Sequence, residues 1–343
     1  MYMEKITVWL PSMFEHCQQI ITGFLMLKEK GWNIEIIDSS KNKNNPFSGM
    51  AIIQAEYNGK KIIYDVWDGY QDPKAIKVGL DWADFYFKRS FSAQKNSVLF
   101  PEDQHKMFPL GFNYHMTYKN CPTSDPYWKT VLQKLRGRNF VPSIFEGSAV
   151  APRGEPKIIF FTRLWDVNEP GLSVALQEER KVINKTRIDI IRSLKQRYGD
   201  LFIGGLNNTP LSQEMAPDLI MPYRYTNRKS YIALLHSCDI CIGSMGLHES
   251  IGWKTGEYVA AAKAIVNETF HYSVPGDFSP GKNYLEYNTA EECIEAVQKL
   301  VDHPQMLLNM KIANEEYYQK HLKPDSLIAN TLKIVENTSF PEK

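Results

Sequence analysis

Short apolar runs alternate along this chain with stretches of helical periodicity, and turn residues separate them. The run at 5–10 predicts a strand stopped by Pro11. From Ser12 the pattern turns helical to about residue 30, and Gly31 supplies the usual closing glycine. Ser12 and Glu15 stand at the spacing of a capping box. A second strand at 34–37 completes a β-α-β unit, which predicts a parallel sheet. Residues 50–67 read as two strands turned at Asn58-Gly59, a hairpin signal. Residues 83–87 predict another strand, with Lys88 and Arg89 at its carboxyl end.

A stretch containing Pro and Gly at 148–157 reads as a linker, and a second alternating series follows it. Strands are predicted at 158–162, 201–204, 238–243 and 264–266, and helices at 186–198, 229–237 and 250–263. Two further helices are predicted at 290–303 and 304–322, and a last one at 325–335. The pattern gives an α/β fold of two Rossmann-like, doubly wound domains facing across a cleft. The domains span 1–150 and 151–322, and a crossover helix and tail at 323–343 return to the first. Ligands of such sheets bind outside the carboxyl ends of the strands, so the residues just after each strand are where chemistry is expected.

Composition narrows the class. The 343 residues are 43% hydrophobic and 23% charged, with a formal net charge of +1, ordinary values for a globular protein. That balance gives no field to draw nucleic acid, so no nucleic-acid partner is expected. The first ten residues lack a basic-then-apolar leader and no apolar run is long enough to span a bilayer, so a cytoplasmic protein is expected. Five scattered cysteines read as reduced thiols. Cys238 and Cys241 fall in a predicted strand, where residues three apart face opposite sides, so their sulfurs are not expected to meet. The chain contains no Asp-x-Asp, no phosphate loop of the Gly-x-x-x-x-Gly-Lys type, no Gly-x-Gly-x-x-Gly after the first strand and no His-Glu-x-x-His. Kinase, dehydrogenase and zinc-peptidase readings lose support.

The segment after the strand ending near Gly243 concentrates the candidate chemistry. A loop of small residues containing Gly246 and His248 leads into a predicted helix starting near Ser250. Free amides and the positive end of the helix dipole make such a start an anion site, and a diphosphate fits there without a metal. Glu249 and Glu257 lie eight positions apart, about 12 Å along a helix. That is too far for the paired carboxylates of a glycosidase. It suits a ligand with polyols on either side of a diphosphate.

A Glu, seven residues and a second Glu, with Gly252 three after the first and an Ala-rich turn into Ile265 and Val266, resembles the donor-site motif of the group-1 retaining glycosyltransferases. The resemblance is one of pattern over 158–322, and sharp over about thirty residues. It implies a GT-B fold, no metal cofactor, and a nucleotide-diphosphate sugar as donor. It implies that Glu257 binds the ribose and Glu249 the donor sugar, while the amides of Ser250, Ile251, Gly252 and Trp253 hold the phosphates. Arg163, after the first strand of the second domain, stands where the family places a phosphate-binding arginine. The family's companion lysine is missing from 165–170, and Lys185, with Arg187 nearby, is the next basic candidate.

In the first domain, His16 follows the first strand and is a candidate for catalysis or substrate contact, with a surface histidine as the alternative. Asp65 and Asp68 fit acceptor hydroxyls or a solvated turn, and Lys88 and Arg89 fit an anionic acceptor or phosphate. The roles of Asn113 and His115 stay open, and His248 is a cleft candidate through its neighbour Glu249. The expected activity is transfer of a sugar to an acceptor hydroxyl, as in polysaccharide biosynthesis. The acceptor is a saccharide or lipid-linked, the latter implying peripheral membrane contact. A nucleotide-sugar epimerase on the same fold and a non-catalytic partner subunit are the rival readings.

Overall fold

The computed structural model describes residues 4–42, 44–119, 121–122 and 140–339. The chain divides into two compact units. Unit 1 comprises 1–144, 271–277 and 318–343, and unit 2 comprises 145–270 and 278–317. The chain therefore enters the second unit at Phe145, and one short segment, 271–277, returns to the first ahead of the tail.

Unit 1 is a six-stranded sheet in the order β2-β1-β3-β4-β5-β6. Its strands are β1 (Ile6–Leu10), β2 (Ile34–Asp38), β3 (Ile52–Tyr57), β4 (Lys60–Asp65), β5 (Phe85–Lys88) and β6 (Met107–Pro109). The β1-α-β2 unit is parallel as expected, and the expected hairpin makes the sheet mixed, because β3 runs antiparallel to both β1 and β4. The physical reason is the two-residue hairpin itself, which joins only antiparallel neighbours. Asn58 and Gly59 take φ of 52° and 68°, the left-handed pair that a tight hairpin turn demands.

Helix α1 runs Gln18–Glu29, after a single 3-10 turn at Glu15–Cys17. The predicted helix start at Ser12 is therefore overturned. The Ser12 hydroxyl donates to the Met50 carbonyl and cannot cap a turn of its own, and Glu15 is exposed. The other end is as expected. Gly31, at φ 94°, donates to Lys28 O and Trp32 N–H donates to Leu27 O, which is a Schellman closure. Ile20, Ile21, Phe24 and Leu27 of α1 bury against the sheet and against the C-terminal helix Pro324–Asn337. Gly23 permits that helix contact, since a Cβ there would lie 2.3 Å from Pro324 O. The opposite face of the sheet is covered by α2 (Pro73–Trp82) and α3 (Ala93–Leu99), with Ile76, Leu80, Tyr86 and Phe100 between.

Unit 2 is a five-stranded, all-parallel sheet in the order β11-β10-β9-β7-β8. The strands are β7 (Ile158–Thr162), β8 (Phe202–Leu206), β9 (Ile240–Gly243), β10 (Ala264–Glu268) and β11 (Leu285–Tyr287). The helices of unit 2 are α4 (Val174–Tyr198), α5 (Pro210–Met215), α6 (Tyr223–Thr226), α7 (Arg228–Ser237), α8 (Trp253–Ala260), α9 (Ala290–Asp302) and α10 (Pro304–Tyr317). Helix α4 starts twelve residues before the predicted 186, because Ser173 caps it by accepting from Leu176 N–H, and its polar first turns hide the period. Cys238 is not in a strand but ends α7, and β9 begins at Ile240. All five cysteines are free thiols, and burial pushes those of Cys238 and Cys241 upward. Chain order steps outward from β7 to β8 on one side and from β9 to β10 and β11 on the other. The switch point between β7 and β9 is where such a sheet opens a ligand site. Among the described residues, no helix is long and apolar enough to cross a membrane.

Candidate functional site

At the switch point of unit 2, β7 delivers Arg163 and β9 delivers the loop beginning at Ser244. One buried side chain ties the two together. Arg187, from the inner face of α4, donates from Nε to Ser244 Oγ at 3.0 Å, from Nη1 to Arg163 O at 2.6 Å and from Nη2 to Met245 O at 2.8 Å. Burial lowers its pKa to about 10, which still leaves it charged at neutral pH. The Glu268 carboxylate at the end of β10 accepts the Met245 amide. The expected candidate Lys185 lies on the outer face of the same helix, side chain 81% exposed, paired to Asp189. Arg163 is exposed and stacks its guanidinium on Trp165, 3.9 Å from the ring centroid.

The loop departs from the expected continuous helix. Helix α8 starts at Trp253, with Gly252 as a cap that offers no side-chain bond. Before it, Leu247–Glu249 form a 3-10 turn in which His248 and Glu249 both take left-handed φ, 61° and 59°. Two such residues in succession end any helical run from Ser250 backwards and store strain. The Ser250 amide is used inside the loop, donating to Leu247 O, while Gly246 N–H donates to Ser250 O. Ser250 and Ile251 are buried, and Glu179 of α4 accepts the His248 and Glu249 amides at 2.7 and 3.4 Å. Glu249 and Glu257 therefore do not share a helix. Glu249 is exposed on the turn, and Glu257 lies buried one turn inside α8.

Around Glu257 the chemistry gathers. It is 2% exposed, and its Oε1 pairs with Arg228 of α7 at 2.7 Å. Oε2 of Glu257 and the hydroxyl of Tyr231, itself 4% exposed, have no hydrogen-bond partner among the described residues. Above them is a cavity of about 130 Å³, lined by Phe161, Asn207, Thr226, Arg228, Tyr231 and Lys254. The Lys254 Nζ sits 4.4 Å from the Tyr231 ring centroid and 5.8 Å from that of Phe161. Burial lowers the Lys254 pKa to about 8, against the pull of Glu257 and with the push of Arg228 and Arg187. Neither Lys254 nor Arg228 was singled out by sequence reasoning. The signal was present for Lys254, a lysine in the first turn of the helix that follows the marked loop.

Unit 1 carries a polar cluster at the carboxyl edge of its own sheet. Asp65 and Lys88, expected near the surface, are instead 1% and 0% exposed and pair at 2.8 Å. Asp65 also accepts the Tyr86 hydroxyl at 2.8 Å and the Trp67 amide at 2.9 Å. Arg89 is buried and pairs with Asp68. His16 lies in the turn after β1, and Asn113 Nδ2 donates to its carbonyl at 2.7 Å. Burial, then the charge of Arg89, lowers the His16 pKa, so the ring is neutral at pH 7. His115 Nδ1 stands 3.8 Å from the Glu15 carboxylate. Among the described residues, no three His, Cys, Asp or Glu side chains gather to hold a metal ion.

No family model matches the chain. No curated protein matches it in sequence. Solved structures resemble it remotely. A glycosyltransferase from Rickettsia africae is 14% identical, with 79% of this chain and 70% of that one covered and a TM-score of 0.46. Anabaena Alr3699/HepE in complex with UDP and glucose is 11% identical, covers 77% of this chain and 66% of its own, and has a TM-score of 0.40. The C-terminal domain of the group 1 glycosyl transferase LpcC from Francisella tularensis is 12% identical over 53% of this chain and 97% of its own, with a TM-score of 0.38. The chain thus spans nearly all of that isolated domain and just under two thirds of the HepE chain.

Proposed function

We propose that this chain transfers a sugar from a nucleotide-diphosphate donor to a saccharide or lipid-linked acceptor hydroxyl, with retention at the anomeric carbon and without a divalent ion. The observation that carries the reading is the electrostatics of the unit 2 switch point. Arg228 pairs there with the buried Glu257, whose Oε2 lacks a partner, Lys254 lies in the field of the same carboxylate, and Arg187 and Arg163 stand at the carboxyl ends of β7 and β9. A ligand that brings both negative charge and hydroxyl donors satisfies both halves of that arrangement. The diphosphate takes the cations and the start of α8, and ribose hydroxyls donate to Glu257.

In the reaction the bond from the anomeric carbon to the diphosphate breaks and a bond to the acceptor oxygen forms. The acceptor proton leaves with the diphosphate. The fixed positive charge stabilises the leaving group as its charge develops. Glu249, exposed on the turn that precedes α8, serves the donor sugar.

Thermal shift with ADP, GDP, UDP and CDP in EDTA, on wild type and Glu257→Gln, tests this. One of the four should stabilise the wild type, and the variant should lose about tenfold or more in affinity, the worth of a charged hydrogen bond. Binding that requires a metal, or that ignores Glu257, sinks the donor-site assignment.

A further inference from the structure

Left-handed backbone is unfavourable for a residue with a Cβ and persists only where the surroundings hold it. His248 and Glu249 adopt it one after the other, at φ 61° and 59°. One atom receives both of their amides: Glu179 Oε1 lies 2.7 Å from the His248 nitrogen and 3.4 Å from that of Glu249. Successive amides in such a turn form a concavity that favours an anion, and here a carboxylate of the same chain fills it. Arg187 binds Ser244 and Met245, and Glu268 accepts the Met245 amide. These contacts fix the base of the loop, and Glu179 binds its tip. Glu179 and Arg187 stand eight residues apart on α4, about 12 Å along its axis, so one helix holds the loop at two points. The Glu179 end of that helix is itself anchored, because the next residue, Arg180, is buried and donates to Asp166 O and to Glu169.

We propose that Glu179 is a positioning residue. Its carboxylate holds the turn at 248–249 in the left-handed form and thereby sets the direction in which the Glu249 side chain leaves the backbone. This rests on the reading of Glu249 as the donor-sugar contact and adds the residue that aims it. Glu249 is exposed, and its backbone is where its direction is set. Without the Glu179 carboxylate, two amides lose their acceptor and the strained pair loses a contact that offsets its strain. The turn then relaxes toward the ordinary regions of φ and ψ, and the Cα–Cβ bond of Glu249 swings away. Glu179 touches no substrate in this scheme. The nucleotide half of a donor is served by Glu257 on α8, so the effect of losing Glu179 falls on the sugar.

The test uses the full chain in EDTA, as wild type, Glu179→Ala and Glu179→Gln, the last keeping an oxygen that accepts both amides. Hydrogen exchange of the 248 and 249 amides should be about tenfold faster or more in Glu179→Ala and near wild type in Glu179→Gln, with β9 and α8 unchanged in both. Calorimetry then compares ADP, GDP, UDP and CDP with their glucose, galactose and N-acetylglucosamine conjugates. Glu179→Ala should keep the wild-type affinity for the nucleoside diphosphate and lose about tenfold for the sugar conjugate, and Glu179→Gln should recover it. Unchanged exchange in Glu179→Ala overturns the proposal. So does a variant that weakens diphosphate and conjugate equally, or weakens neither, since the role is then only structural or absent. If no conjugate binds the wild type more tightly than its diphosphate, the donor-sugar role of Glu249 fails, and faster exchange in Glu179→Ala still establishes the hold on the turn.

Discussion

At the carboxyl edge of the unit 1 sheet, Lys88 faces Asp65 and Arg89 faces Asp68, so each buried cation has its own acid. At the same edge of unit 2, Arg228 pairs with Glu257, Lys254 lies in the field of that same carboxylate, and Arg187 spends its donors on a hydroxyl and two carbonyls while the charge of Glu268 faces it. The two sheets present similar side chains in different states of compensation. A compensated cluster is finished by folding, and its charges fix side chains and loops. An uncompensated one is left for something that arrives later, and holding it empty costs stability. The difference separates a structural polar cluster from a ligand site more sharply than residue type does, because Asp, Lys, Arg and Tyr occur in both.

The largest expected effect breaks the compensated side. Asp65→Ala strands the Lys88 ammonium, fully buried, and removes the acceptor of the Tyr86 hydroxyl and the Trp67 amide. The expected cost is about 4 kcal/mol, and Asp65→Ala with Lys88→Met should recover most of it, since losing both charges is far cheaper than losing one. Urea unfolding followed by tryptophan fluorescence measures both. A single variant that costs less than about 1 kcal/mol would place unit 1 among weakly held surface pairs and erase the contrast.

On the uncompensated side the sign reverses. The Lys254 pKa in the folded chain, about 8, lies below its ordinary 10.5. Below pH 8 the lysine is protonated folded or unfolded, so the folded state bears the whole penalty. Between 8 and 10.5 the unfolded chain holds a proton that the folded chain has released, and stability rises with pH. Lys254→Met should therefore stabilise the protein by about 2 kcal/mol at pH 7, with the gain shrinking toward pH 10.5. Melting curves of the two proteins at pH 7 and 10 decide it. A destabilised variant at pH 7 would mean that Glu257 already compensates Lys254.

How much of this the sequence reveals follows from the range of each interaction. The Asn58-Gly59 turn, the Gly31 closure and β7 are legible because a few neighbouring residues decide them. The antiparallel β3 follows from the same hairpin, and the parallel β1 and β2 follow from the β-α-β unit before it. The start of α8 is misread because Ser250 and Gly252 take extended backbone, so the helix begins only at Trp253, and neither Ser nor Gly at that point distinguishes a loop residue from a first helical one. The Arg228 to Glu257 pair joins residues twenty-nine positions apart through two helices, and no local pattern carries it. Asp65 and Lys88 look like solvated charges because the groups that bury them, each other, Tyr86 and Tyr70, come from separate elements.

The smallest expected effect concerns which cations of α4 belong to the site. The missing lysine after Arg163 turns attention to Lys185, yet the period of the helix points two residues further on. Ile183, Ile190, Ile191 and Leu194 form its buried stripe, and position 187 falls on that stripe while 185 falls outside. Lys185 pairs with Asp189 in water, at a spacing where such pairs contribute little. Lys185→Ala should leave the melting temperature and the affinity for the nucleoside diphosphate that binds without measurable change. A clear loss of nucleotide affinity in this variant would move the ligand toward the outer face of α4, where Arg187 cannot follow, and the contrast drawn between the two sheet edges would have to be redrawn around an exposed cation.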